Sequence, residues 1–159
     1  MKRFVLLTLF AAILSTTACD GKDDPVIVPQ PPQQEQPEDK PTQQPETMTI
    51  TITVGSQVFK ADIEDTETGR AFLGKLPLTL DMSELNGNEK YCYGVSLPKD
   101  DKYYNSIAAG DLMLYSGNCI VLFYGPAGGY SYTRIGKLVS TEGLKEALGT
   151  GSVKVTFEK

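Results

Sequence analysis

The composition of the chain changes abruptly at Met48, and this change limits which part can fold. Residues 25–47 are rich in Pro, Gln and Glu and contain only one short apolar island. Such a segment buries too little apolar surface to offset the entropy of ordering, so we expect a disordered linker over residues 19–47. Along Thr49–Val54, Thr alternates with Ile and Val, the period-2 pattern of a half-buried strand. The folded domain is therefore predicted over residues 48–159.

The first residues of the chain predict a secretion signal. Lys2 and Arg3 precede the apolar run Phe4–Leu14, and small residues follow up to Ala18. A basic, an apolar and a small-residue region in this order are typical of a signal peptide. The apolar run is shorter than the roughly 20 residues that a membrane-spanning helix needs. We therefore predict a cleaved signal peptide over residues 1–18.

The residues around Cys19 resemble two signals of bacterial lipoproteins. Thr17-Ala18-Cys19 resembles the lipoprotein cleavage box, although Thr16 stands where that box more often has Leu. The resemblance implies that Cys19 is lipidated and anchors the chain to a membrane; the alternative is an ordinary cleavage site followed by a free cysteine. Lys22-Asp23-Asp24 resembles the export signal of surface lipoproteins in the Bacteroidota, and the alternative is an acidic spacer. Together they imply a lipid-anchored protein of the cell envelope, in the outer membrane and facing outward.

The region after Met48 predicts many short strands and two short helices. Apolar patterns predict strands near residues 49–54, 58–63, 76–80, 91–95, 111–115, 119–124, 130–139 and 153–157. One helix is predicted from Glu64 to Lys75, and another from a cap at Ser140 or Thr141 through Leu148. The two apolar runs between Asp111 and Tyr124 predict a hairpin that is buried on both faces. We therefore expect a mostly β barrel or sandwich with capping helices.

The residue types present exclude several classes of function. The chain has no His, which excludes a Ser-His-Asp or Cys-His catalytic device and any imidazole metal site. The folded part is close to balanced in charge, so no basic face is expected and nucleic acid is not an expected partner.

Two polar loops lack the residues that a metal or phosphate site needs. Asp81, Glu84 and Glu89 flank the first loop, but Leu85 stands where a calcium loop requires an oxygen donor. The second loop, Gly125–Gly129, lacks the Gly-Lys-Ser/Thr sequence that cradles a phosphate. We therefore expect no metal and no cofactor.

Three segments of the folded part resemble a family of bacterial proteins described as cyclophilin-like. They are LPLTLDMSELNGNEKY at residues 76–91, GDLMLYSGNCIVLFY at residues 110–124 and YSYTRIG at residues 130–136. The resemblance spans essentially the whole of residues 48–159. It implies a small closed β-barrel with helices over its ends, whereas function does not follow from such a fold.

Prolyl isomerisation, the activity of true cyclophilins, is not expected of this chain. In those enzymes an Arg within a Phe-His-Arg motif acts beside an aromatic pocket completed by Trp and His, and the matching place here reads Leu78-Thr79-Leu80-Asp81. No cation is available there to polarise the prolyl amide, whose rotation barrier is about 18–20 kcal/mol. The expected function is a non-catalytic binding module for a peptide or small molecule. A weak prolyl isomerase and an accessory subunit of an envelope assembly are the alternatives.

The candidate ligand-binding residues are Tyr130, Tyr132 and Arg134. A guanidinium beside aromatic faces can hold a carboxylate or a peptide carbonyl; the alternative is that the tyrosines pack the barrel and Arg134 makes a surface ion pair. Cys92 and Cys119 lie in strand-like runs, and an oxidising compartment would permit a disulfide between them. Free buried cysteines are the alternative. No oligomeric state is predicted.

Overall fold

The computed structural model describes residues 48–159, which form nine strands and two short helices. The strands are β1 (Met48–Val54), β2 (Gln57–Ile63), β3 (Leu78–Leu85), β4 (Glu89–Tyr93), β5 (Lys102–Tyr104), β6 (Asp111–Tyr115), β7 (Cys119–Phe123), β8 (Tyr130–Leu138) and β9 (Val153–Glu158). The helices are α1 (Glu67–Leu73) and α2 (Leu144–Leu148). The predictions for Cys19, the signal peptide and the linker lie outside these residues.

Eight of the strands form a closed antiparallel barrel. Their order is β2-β1-β9-β3-β4-β7-β6-β8, and β8 pairs back onto β2 through Ala61, Asp62 and Ile63. The ninth strand, β5, lies against β8 in a separate pairing of three residues. Closure leaves the barrel strands without a free edge. The prediction of a mostly β, closed barrel with two short helices is confirmed.

The barrel closes where Gly136 of β8 pairs with Ile63 of β2. A Cβ atom on Gly136 would lie 2.4 Å from the Asp62 carbonyl oxygen and 3.0 Å from the Ile63 Cα. Real Cβ atoms do not approach a backbone oxygen so closely, so the absence of a side chain at this position lets the two strands meet.

The interior of the barrel holds the main hydrophobic core. Alternate residues of the strands point inward, and Phe72 and Leu73 of α1 and Leu144 and Leu148 of α2 belong to the same buried cluster. The Phe72 ring meets that of Phe157 edge to face at a centroid distance of 5.5 Å. Each helix thus buries its apolar side against the barrel strands.

Both helices begin later than the sequence predicted. The Glu64 amide donates a hydrogen bond to the Ile135 carbonyl, so strand pairing takes the residue with which the first helix was expected to begin. Thr66 then caps α1 by accepting a hydrogen bond from the Gly69 amide at 3.0 Å. The second helix is preceded by Gly143 at φ 74°, without a side-chain cap. Ser140 instead accepts from the Glu142 amide in the turn before α2.

A second hydrophobic cluster covers the outer face of β6, β7 and β8. Its buried members are Ile107, Met113, Cys119, Val121, Phe123 and Tyr132. A backbone bridge between Ile107 and Ala127 brings two loops across this face. The hairpin β6–β7 therefore has apolar neighbours on both faces, as its nearly continuous apolar runs predicted.

Within the part of the chain that the structure describes, no helix is both long and apolar enough to cross a membrane. The same residues contain no group of three or more Cys, Asp or Glu side chains placed to hold a metal ion.

Candidate functional site

A pocket lined by tyrosines lies on the outer face of the barrel, where β4, β7, β6 and β8 are adjacent. We call it the tyrosine groove. It has a volume of about 280 Å³. Its defining side chains are Glu89, Tyr91, Tyr93, Tyr115, Tyr130 and Tyr132.

Strand alternation and register place these side chains on one face. Glu89, Tyr91 and Tyr93 are alternate residues of β4, and successive side chains of a strand point to opposite faces. Tyr93 pairs with Cys119 of β7, which in turn pairs with Tyr115 of β6, so the three share a row across the sheet. Leu85 and Val121 add apolar surface to the groove. The pattern Glu-x-Tyr-x-Tyr is visible in the sequence but does not by itself reveal which face is open.

The tyrosines of the groove range from the buried Tyr132, through Tyr115 at 39% exposure, to two largely exposed rings. Tyr132 is buried against the rings of Phe123 and Tyr115, with centroid distances of 5.6 and 5.5 Å. Burial is the main reason that the pKa of Tyr132 is raised to about 12. Tyr93 and Tyr130, by contrast, are 57% and 61% exposed. The groove therefore has a rigid aromatic base and two accessible rings at its rim.

Glu89 is the acidic group of the groove, and it is only 6% exposed. None of the ion pairs in the described part of the chain includes Glu89. Burial, with a smaller repulsion from Glu84, raises the pKa of the Glu89 carboxyl. A buried carboxylate is costly without a partner, and Glu89 is the one carboxylate among the described residues that line the groove.

The predicted constellation of Tyr130, Tyr132 and Arg134 is divided between two surfaces. Both tyrosines line the groove, whereas Arg134 faces a separate polar hollow of about 260 Å³ that includes Thr66 and Asp100. The Arg134 guanidinium lies 5.1 Å from the centre of the Tyr104 ring.

Carboxylates surround the Arg134 side chain on its other sides. Its Nη2 atom lies 3.5 Å from Asp111 Oδ2, and its Nε atom lies 3.9 Å from Glu64 Oε1. Asp111 is nearly fully buried and also lies 3.7 Å from Lys137 Nζ. The ion-pair alternative for Arg134 thus describes its contacts better than a shared site with the tyrosines.

Comparison with known proteins agrees with this architecture. The model of the cyclophilin-like family matches residues 52–158. The chain belongs to the cyclophilin-like family. Among solved structures, the solution structure of a hypothetical protein from Archaeoglobus fulgidus is similar, with a TM-score of 0.56 and 22% sequence identity over 74% of this chain and 98% of that one. Comparison with curated proteins gives no significant match. The cyclophilin-like resemblance of the sequence is thereby confirmed for the folded domain.

The sequence analysis did not single out Lys90, which follows Glu89 on β4 and whose side chain points to the opposite face of the strand from the groove of this cyclophilin-like domain. The Lys90 side chain is inaccessible to solvent, and its ammonium pairs with Glu84. It also donates to the carbonyls of Gly149 and Gly151, at 3.0 and 2.6 Å. Tyr124 donates its hydroxyl proton to the other oxygen of Glu84. The lysine thereby fastens the segment between α2 and β9 to the barrel.

The pKa of Glu84 reflects two opposing effects. Burial alone would raise it, but hydrogen bonds from Lys90 and Tyr124 outweigh that effect and hold the pKa below its ordinary value. The same network raises the pKa of Tyr124 to about 12, first through burial and then through its bond to Glu84. The arrangement stabilises an ionised pair and has no open face for a ligand.

Cys92 and Cys119 are free thiols in the cyclophilin-like domain. Their strands do pair, but Cys92 lies opposite Ile120 and Cys119 lies opposite Tyr93, so the two side chains point to opposite faces. The disulfide considered from the sequence is therefore not formed. Burial raises the pKa of Cys119 to about 11, which keeps this groove residue protonated and a poor nucleophile at neutral pH.

Proposed function

We propose that this protein is a lipid-anchored binding module of the cell envelope, which presents the tyrosine groove to a peptide or small molecule. The observation that carries the proposal is the groove itself. Its exposed rings, Tyr93 and Tyr130, stand over a buried aromatic base. Tyrosine provides large contact area and a hydroxyl at low entropic cost, which is why it is frequent in binding surfaces.

The groove supports binding better than isomerase catalysis. None of the described residues that line it is Arg or Lys, so nothing there can donate a charged hydrogen bond to a prolyl amide. The place that matches the cyclophilin Arg, Leu78–Asp81 at the start of β3, contributes no residue to the groove. We therefore propose a non-catalytic role.

The N-terminal sequence supports the membrane part of the proposal. Cys19 follows Thr17-Ala18 after an apolar run, in the order of a lipoprotein signal. A Pro-rich segment of the composition found in residues 25–47 extends by about 3.1 Å per residue in the polyproline conformation. Such a linker would hold the domain away from the lipid surface and leave the groove accessible. We further propose the outer membrane as its location, with the Lys22-Asp23-Asp24 segment directing it outward.

Binding is tested with the full-length protein in detergent and a library of short synthetic peptides. The chain has no Trp, and five of its eight tyrosines line the groove, so binding is followed by the change in tyrosine fluorescence and assigned to the groove by the variants below. We expect saturable binding by some peptides, weakened at least about tenfold in Tyr93→Ala and in Tyr130→Ala because rim aromatics act as binding hot spots. Absence of saturable binding throughout the library would contradict the proposal.

Two variants outside the groove serve as controls. Tyr103 is 63% exposed but does not line the groove, and Arg134 faces the other hollow. Tyr103→Ala and Arg134→Ala should each leave the affinity within about twofold, since residues outside a binding surface contribute little. A prolyl-isomerisation assay at micromolar protein is the second readout, and clear acceleration would refute the non-catalytic role.

A further inference from the structure

We propose that the tyrosine groove recognises an alkylammonium group, such as the side chain of a lysine or a methylated lysine in a peptide. This inference rests on the proposed binding function and names the chemistry of its ligand. It combines two features of the same pocket, an unpaired buried carboxyl and an array of aromatic rings.

The carboxyl group of Glu89 supplies the charge complement. Glu89 lines the groove and is only 6% exposed. It belongs to none of the ion pairs among residues 48–159. An ammonium group entering the groove would give this carboxylate the partner that it lacks and offset the cost of its burial.

The tyrosines supply the second element of recognition. Rings from β4, β6 and β8 line the groove on different sides, and Tyr91 stands edge to face with Tyr93 at a centroid distance of 5.9 Å. The negative face of an aromatic ring attracts a cation, and clusters of such rings form the binding cages of quaternary ammonium ligands. Aromatic surface is therefore present both at the buried Tyr132 and at the exposed Tyr93 and Tyr130.

Charge also argues against other occupants. A carboxylate or phosphate would face Glu89 without any Lys or Arg among the described lining residues. The chain's own linker carries seven acidic residues against Lys22 and Lys40, so its net negative charge matches the groove poorly. A cationic group on another molecule complements the pocket better than either.

The test compares two ligands that differ only in charge. One is a short acetylated peptide with trimethyllysine at its centre, and the other carries the neutral tert-butyl isostere at the same position. We expect the cationic peptide to bind full-length protein at least about tenfold more tightly, within the range of desolvated cation–aromatic contacts. Equal affinity of the two peptides would overturn the inference and leave the binding function standing. Binding by neither peptide would also overturn the inference, whereas the binding function is decided separately by the peptide library.

Variants assign the preference to the groove. Glu89→Gln keeps the shape of the side chain and removes its charge, so the ratio of the two affinities should fall, while the aromatic rings retain part of the preference for the cation. Asp100→Asn is the matched control, because Asp100 is an exposed acid of the other hollow; it should leave the ratio unchanged. An unchanged ratio in Glu89→Gln would contradict the assignment.

A second pair of variants guards against loss of folding. Tyr130 is exposed at the rim, so substitutions there disturb the core little. Tyr130→Phe should retain the preference for the cation and Tyr130→Leu should reduce it, since Leu has no aromatic face. Equal effects of the two substitutions would contradict the aromatic part of the inference. Tetramethylammonium, used as a competitor, tests whether the ammonium group alone is recognised. Displacement of the peptide would support recognition of the ammonium group. Failure to displace the peptide at concentrations far above it would overturn recognition of the cation.

Discussion

Two glutamates on either side of the turn between β3 and β4 have pKa shifts of opposite sign. Burial raises the pKa of Glu89, whereas the bonds from Lys90 and Tyr124 overcome the effect of burial and lower the pKa of Glu84. The contribution of Glu84 to stability is therefore present above its ordinary value of 4.5 and is lost as the pH falls through its lower folded value. For Glu89 the folded state favours the protonated form, and that preference is lost as the pH rises through its raised value.

Removal of the Lys90 ammonium tests the energetic role of this network. We expect Lys90→Ala to lower the free energy of unfolding at pH 7 by about 3 kcal/mol, because Glu84 and two backbone carbonyls lose their partner. Glu84 is one-quarter exposed, which places the expectation at the low end of the range for buried pairs. Urea denaturation measures the change. The difference from wild type should shrink as the pH falls through the folded pKa of Glu84, because the protonated carboxyl no longer pairs with Lys90.

The exposed pair of Lys154 and Asp81 provides the control, since both side chains are about two-thirds or more accessible. Lys154→Ala should change the free energy of unfolding by less than about 1 kcal/mol. Equal effects of Lys90→Ala and Lys154→Ala would contradict the expectation that burial and the carbonyl contacts of Lys90 add to the free energy of unfolding.

At the residue scale, the sequence was informative about strand faces and poor about partners. Tyr130 and Tyr132, at alternate positions of one strand, were identified as candidates because aromatic faces beside a guanidinium can hold a carboxylate or a peptide carbonyl, and both do line the groove. Arg134 continues the same alternation, but Asp111 and Tyr104, which hold it elsewhere, come from other segments. The sequence did not predict Glu89 as a groove residue or Lys90 as a buried residue. Charged residues are mostly exposed, so their burial becomes evident only when their neighbours in the fold are known.

At the scale of secondary-structure elements, turn and alternation signals located the strands well. Asn86-Gly87 predicted the turn between β3 and β4, and both residues adopt the positive φ that this turn requires. The helix starts were less predictable. The Glu64 amide, for example, donates a hydrogen bond to Ile135 on a strand about seventy residues away in the chain. Local capping signals do not contain that tertiary competition.

The pairing of β2 with β8 at Gly136, where the barrel closes, leaves no room for a side chain. Gly136→Val would place atoms against the Asp62 carbonyl, from which even a Cβ would be only 2.4 Å distant. We expect destabilisation of at least about 1–3 kcal/mol, the usual cost of overpacking, measured by thermal or urea unfolding. Gly74→Ala is the control, since its nearest atom would lie at 3.4 Å, and it should be nearly neutral. Wild-type stability in Gly136→Val would contradict the role of this pairing.

At the scale of the whole molecule, we propose that lipid on Cys19 anchors the folded domain to a membrane. Cells given labelled palmitate should incorporate it into the wild-type protein and not into Cys19→Ala, because acylation requires the thiol. Cys92→Ala is the matched control, since that cysteine lies within the barrel, and it should retain the label. Label in Cys19→Ala would refute the anchor.

The order of strands also determines when the barrel can form. β9 lies between β1 and β3, so the first strand of the domain finds one of its two neighbours only in the last. Until Val153–Glu158 are available, β1 and β3 both present an unpaired edge. Pairing of such distant segments is slow, because a long loop must close before any contact rewards it. The domain therefore completes its fold only after its final strand has been synthesised.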